Sequence, residues 1–197
     1  MTGPFGELDP ADGAHLVRLA VAAVAAHLSG HPVPDEAPGS VVLCAPGASF
    51  VTLECEERLR GCVGSLDAAR PLWRDVVRNA LRATRDPRLP AVTSADWPAL
   101  DVKVSVLSTP EPVPAAGTAE LLAALRPGVD GLLITDGARR ATFLPAVWRK
   151  LAGPDRFLAA LLAKGGWPSD GWPSGLRVYR YTAREFRDPA PREPLAG

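Results

Sequence analysis

One run constrains this chain more than any other: Leu59-Arg60-Gly61-Cys62-Val63-Gly64-Ser65-Leu66. It sets a cation, a thiol and two glycines among residues that favour a strand. Glycine inside a strand gives up packing and marks a bulge, a bend or the close approach of another group. In an extended conformation Arg60, Cys62 and Gly64 share one face, and Leu59, Gly61 and Val63 take the other. A guanidinium beside a thiol favours the thiolate, and the missing side chain at Gly64 leaves space next to it. Cys62 therefore reads as a nucleophile, a redox thiol or a soft metal ligand. The plainer reading is a small apolar residue in a strand, since unpaired cysteines are often buried.

The flanking sequence gives this run a setting. Phe50 to Glu54 alternates as a strand, and Glu56-Glu57 reads as the turn into the Arg-Gly-Cys strand. Pro71 opens an amphipathic helix to about Arg85, with Trp73, Val76, Val77, Ala80 and Leu81 as its apolar face, and Asp86-Pro87 ends it. Val102 to Leu107 is a strand with valines on one face and Lys103 and Ser105 on the other. Upstream, Asp9 caps a helix begun by Pro10 and stopped by Gly30 and Pro32, and His31 to Ser49 reads as a surface connection. Downstream, Thr118 caps a short helix to Leu125. Gly131 to Thr135 and Arg139 to Phe143 form a hairpin whose Asp136-Gly137 suits a type I′ turn. Pro154 to Lys164 is a helix closed by Gly165, Val178 to Tyr181 is a last strand, and the Pro-rich tail from Asp188 is expected to fray. Gly166-Trp167-Pro168-Ser169 repeats as Gly171-Trp172-Pro173-Ser174, a loop duplication. Irregularly mixed helices and hairpins predict an α+β fold, a mixed or antiparallel sheet with flanking helices.

The totals narrow the function. The 197 residues suffice for one domain, or one with a smaller lobe. Twenty-two basic residues balance 22 acidic ones, which argues against a general nucleic-acid or anionic-membrane binder. Three cysteines without a C-x-x-C point to reduced thiols in a cytosolic setting, and Met1 to Pro10 lacks the pattern of a signal peptide. Leu16 to Leu28, interrupted by Arg18 and His27, is too short to span a bilayer. His27 and His31 have the spacing of two ligands on one helix face, but Gly30 and Pro32 end the helix there. Arg74, Arg78, Arg82 and Arg85 recur along one helix and, with Arg70 and Arg88, form a basic stripe. That stripe is either a solvated face or a docking surface for an acidic partner, a phosphate or, more weakly, RNA. Lys164 sits in a last helical turn, where the macrodipole alone suffices to explain it. No standard nucleotide, zinc-protease or esterase motif occurs, and the sequence names no cofactor.

Several segments in order resemble the AMMECR domain. They are Phe50-Val51-Thr52-Leu53, Leu59-Arg60-Gly61-Cys62-Val63-Gly64, Asp86-Pro87-Arg88 and Val104-Ser105-Val106-Leu107-Ser108. Gly131-Leu132-Leu133-Ile134, Thr142-Phe143-Leu144-Pro145-Ala146-Val147-Trp148 and Phe157-Leu158-x-x-Leu161-x-x-Lys164-x-Gly166 follow. The resemblance covers residues 12–187, leaving 1–11 and 188–197 as expected flexible termini. Val63 stands for the usual Ile, Leu89 for an aromatic, and Gly165-Gly166-Trp167 for Ala-Gly-Leu. Bacterial and archaeal members are called AmmeMemoRadiSam system protein A. The resemblance implies an α+β fold of a larger and a smaller lobe, with the Arg-Gly-Cys segment near their junction. It also implies association with a Memo-like protein and a radical S-adenosylmethionine enzyme. On this reading Cys62 and Arg60 carry the chemistry, and Gly61, Gly64, Asp86, Arg88 and Lys164 line the site. The alternative is a non-catalytic adaptor that binds through the Arg70–Arg88 stripe.

Overall fold

The computed structural model describes residues 4–33, 35–151, 153–168 and 172–195. The chain forms two compact units, Met1–Leu107 with Arg184–Gly197, and Ser108–Ala183. The second is inserted between two strands that lie side by side in the first.

In the first unit Asp9 caps α1 (Pro10–Ser29) by accepting the Asp12 N–H at 2.7 Å, and Gly30 closes it at φ 72°. Leu16, Val17, Ala20, Ala23 and Val24 form its buried face. α1 is long and apolar enough to cross a membrane by length and composition alone, but this face makes it a core helix. The segment read as a surface connection contains one helical turn, α2 (Val41–Cys44), which buries Leu43.

Strands β1 (Ala48–Cys55) and β2 (Arg58–Gly64) form a hairpin. Glu56 and Glu57 take φ of 48° and 64°, the left-handed pair a two-residue turn requires. Helix α3 (Leu72–Ala83) follows, then β3 (Leu100–Leu107). The sheet order is β2-β1-β3-β8, with β1 antiparallel to both neighbours and β2 at an edge. Val51, Leu53, Val102, Val104 and Val106 meet α1 and α3 in one core.

Strand β8 (Ala183–Asp188) has no counterpart in the sequence reading, because its charged residues hide the alternation. Its anchor is Phe186, whose ring occupies the space a Cβ on Gly13 would need. Several described residues of the terminal segments expected to be flexible are tied down. Ala190 N–H donates to Asp101 at 2.7 Å, Arg192 to Leu100 O at 2.7 Å, and Trp97 Nε1 to Glu193 O at 2.8 Å. At the other end Leu8 is buried and Pro10 already lies in α1.

The second unit has the sheet order β4-β7-β5-β6, from β4 (Glu111–Pro112), β5 (Gly131–Thr135), β6 (Arg140–Phe143) and β7 (Arg177–Tyr181). Helices α4 (Thr118–Ala124) and α5 (Pro154–Lys164) complete it, with Gly117 rather than Thr118 at the cap of α4. Only Gly137, at φ 96°, is left-handed in the β5–β6 turn, so the type I′ turn, which needs two such residues, is not formed. Instead Asp136 Oδ1 accepts the N–H groups of Ala138 and Arg139. Trp148 stacks on Phe157 at 3.8 Å. Ser169 and Gly171 of the tandem repeat lie outside the described residues, while Trp167 is buried and bonds Asp136. All pairings described are antiparallel, and the fold is α+β.

Candidate functional site

Cys62 lies opposite Thr52, whose Oγ1 donates to Cys62 Sγ at 3.4 Å. Because β2 is an edge strand, backbone groups on its outer side need partners beyond the sheet. The Asp86-Pro87-Arg88 turn supplies both for Cys62. Its N–H donates to Asp86 Oδ2 at 3.0 Å, and Arg88 Nη2 donates to its carbonyl at 2.9 Å. The two partners also hold each other, through Arg88 Nε to Oδ1 at 2.8 Å and Nη2 to Oδ2 at 2.6 Å. A bidentate pair thus takes the place of a neighbouring strand.

Asp86 is 2% exposed, whereas the Arg88 side chain keeps 61% of its exposure. The Arg88 hydrogen bond holds the Asp86 carboxyl far below the usual carboxylate range, against the opposing effect of burial, and the Cys62 N–H adds to it. Arg88 is raised in turn, chiefly by Asp86, with a smaller contribution from the charge of Cys62. Pro87 keeps Asp86 from resuming a helical course after α3, and the turn brings its carboxylate and the Arg88 guanidinium together.

Arg60 departs from simple alternation. Pairing jumps from Leu53↔Gly61 to Glu54↔Leu59, so Arg60 is the extra residue of a β-bulge, which re-aims its side chain. Arg60 Nη2 donates to Asp96 Oδ2 at 2.9 Å and to Ala91 O at 3.4 Å. Asp96 also accepts the N–H and hydroxyl of Thr93. Burial pushes the Asp96 carboxyl up, but the Thr93 bonds and the Arg60 charge outweigh it and hold it low. The guanidinium bonded to Cys62 is Arg88's, while Arg60's hydrogen bonds go to Asp96 and Ala91.

The two glycines have separate reasons. A Cβ on Gly61 would come within 1.9 Å of Ala83 O, so glycine lets β2 pass the end of α3. At Gly64 the expected open space is filled, since a Cβ there would lie 2.2 Å from the Phe50 ring. Lys164 belongs to the second unit, where its Nζ donates to Thr142 O at 2.9 Å and lies 5.0 Å from the Phe143 ring centroid. The first unit therefore brings Thr52 to the sulfur of Cys62, and Asp86 and Arg88 to its backbone.

Sequence reasoning missed Thr52 and Asp96, and also a buried polar cluster. Asp75 accepts from Ser49 N–H (2.9 Å), Ser49 Oγ (2.8 Å), Asn79 Nδ2 (2.9 Å), Ser65 Oγ (2.6 Å) and Arg70 (2.7 Å). The available signal was an Asp and an Asn four apart on the apolar face of α3. The arginine stripe is broken up. Arg70 pairs with Asp75, Arg74 with Asp35 at 3.5 Å and Arg88 with Asp86. Among the described residues Arg78, Arg82 and Arg85 form no ion pair. Among the described residues, too, no group of three or more His, Cys, Asp or Glu could hold a metal ion, and His31 lies beyond the end of α1.

The AMMECR1 family profile matches residues 17–186. A protein of Methanothermobacter thermautotrophicus is 35% identical over 190 residues, covering 93% of this chain and 98% of its own length. Protein MJ0810 of Methanocaldococcus jannaschii is 33% identical over 186 residues, with 92% of each chain covered. In three dimensions the chain is similar to the crystal structure of the uncharacterized protein PH0010 from Pyrococcus horikoshii. The TM-score is 0.82 at 32% identity, over 93% of this chain and 95% of that one. A match over most of the sequence, joined to the same fold, means that this chain belongs to the AMMECR1 family.

Proposed function

We propose that this protein is the A component of an AmmeMemoRadiSam-type three-part system. It acts in the cytosol with a Memo-like protein and a radical S-adenosylmethionine enzyme, and presents Cys62 as its working thiol. One observation carries the reading: an Asp–Arg pair from a distant turn is spent on fixing the backbone of one edge-strand cysteine. The same cysteine also receives a hydroxyl on its sulfur, a contact that apolar filling would not need. In this reading Asp86 and Arg88 are positioning residues, Thr52 Oγ1 holds the sulfur, and Arg60 anchors the bulge next to them. The thiol serves either in turnover or as a single-use acceptor. The adaptor alternative has less support, because Arg70, Arg74 and Arg88 are engaged with carboxylates.

The test is reconstitution with the two partner proteins encoded in the same genome, using wild type, Cys62→Ser and Cys44→Ser. Capture of both partners, with activity or a mass change on Cys62 that is lost only in Cys62→Ser, is expected. Full activity of Cys62→Ser overturns the thiol role. Failure to associate with either partner overturns the three-part assignment.

A further inference from the structure

The first unit holds a cleft of ≈ 420 Å³ that the thiol reading does not use. Its wall is apolar, formed by Val33, Val63 and Leu81. Its rim carries the exposed Arg82 and Arg85 from the end of α3, and His27 from the last turn of α1. Pro87 also lines the cleft. From this we infer a binding site for a small anionic molecule with an apolar body.

The volume falls in the range of small-molecule sites, about 300–1,000 Å³. The charge pattern selects the ligand. Arg60, Arg70, Arg88 and Arg126 each bond a carboxylate at 2.9 Å or less, whereas neither Arg82 nor Arg85 has an acidic partner among the described residues. Two guanidiniums beside an apolar wall suit a carboxylate or phosphate head on a hydrocarbon body. The helix macrodipole accounts for Arg82, which sits in the last turn of α3. It does not account for Arg85, past the helix end, or for the apolar wall beneath both. Val63 follows Cys62 directly, and Pro87 separates Asp86 from Arg88. A molecule in the cleft would therefore lie against the chain neighbours of Cys62 and of its Asp–Arg pair. The inference stands whether or not Cys62 is a working thiol.

The experiment titrates the full chain with octanoate, octyl phosphate and octanol, read by calorimetry and by methyl shifts of Val63 and Leu81. Both anions should bind saturably with shifts at those methyls, and octanol should bind at least about tenfold more weakly. Tighter octyl phosphate assigns a phosphate head, and tighter octanoate a carboxylate. Arg82→Gln/Arg85→Gln should weaken both anions at least about tenfold, while Arg78→Gln, outside the cleft, should not. These are exposed positions, and circular dichroism checks that the variants keep their fold. Octanol binding as tightly as octanoate, an unaffected double variant, or no saturable binding at millimolar probe would each overturn the inference.

Discussion

Cys55 and Cys62 lie on the two strands of one hairpin, yet the charged groups that reach them differ. Cys55 Sγ contacts Asp96 O at 3.7 Å, and burial, then the Asp96 carboxylate, pushes its thiol up. Cys62 takes a hydroxyl on its sulfur and a guanidinium on its carbonyl. The hairpin is common to both, so the strands do not set the difference. It is set by the turns that reach them: residues 93–96 bring a carboxylate to Cys55, and residues 86–88 bring an Asp–Arg pair to the backbone of Cys62. A thiol's chemistry in this fold is thus assigned from outside the sheet.

The sharpest way to break the comparison is Asp86→Ala. It leaves the Cys62 N–H without its acceptor and frees Arg88, at a cost of about 2–3 kcal/mol, read from urea unfolding. Cys62 should lose reactivity while Cys55 stays as it was. Equal effects on both thiols would make Asp86 a purely structural residue.

Gly61→Ala comes next. Its Cβ would strike the Ala83 carbonyl, and separating β2 from α3 should cost about 1–3 kcal/mol. The disturbance should reach Cys62 on β2 before Cys55 on β1, which methyl and amide shifts of the two strands would read.

The pH dependence sharpens the same point. The Asp86 carboxyl is lowered in the folded protein, so its stabilisation is complete above the unfolded value of about 3.9 and is lost as pH falls toward the folded one. Urea midpoints should therefore drop as pH falls below about 4, and Asp86→Asn should flatten that drop. An unchanged acid limb in the variant would show that other carboxylates carry it. The smallest effect belongs to Thr52→Val, which removes the hydroxyl on Cys62 Sγ. It should change stability by about 1 kcal/mol or less and slow Cys62 modification without altering that of Cys55.

Much of this frame was legible in the sequence. The caps of α1, the alternation of β1 and β3, the Glu56-Glu57 turn and the bounds of α5 follow from local rules that the tertiary structure leaves in force. The Arg-Gly-Cys segment also stood out for a sound reason, its unusual residue types. The geometry around it was hidden because it depends on distant contacts. A bulge adds a residue without a distinctive residue type, so Arg60 was placed on the wrong partner. Gly64 was read as open space, whereas the facing Phe50 ring fills it. Asp75 and Asn79 are polar residues on a buried face, resolved only by Ser49 and Ser65 from other elements. β8 escaped because one phenylalanine among charges carries no alternation. Lys164 came to the candidate site only through the resemblance, and its bonds are with Thr142 and Phe143 in the second unit.

The most direct test of the central claim is competitive alkylation at neutral pH, with modification at Cys44, Cys55 and Cys62 followed separately by mass spectrometry in wild type, Arg88→Ala and Arg60→Ala. Cys44 is exposed and Cys62 only half so, which means access alone favours Cys44. The account predicts that Cys62 nonetheless reacts faster than Cys44 by about tenfold, that Arg88→Ala removes most of this advantage, and that Arg60→Ala removes less. A Cys62 slower than Cys44 in wild type, or one indifferent to Arg88, would contradict it and leave the Asp–Arg turn as a cover for an edge strand.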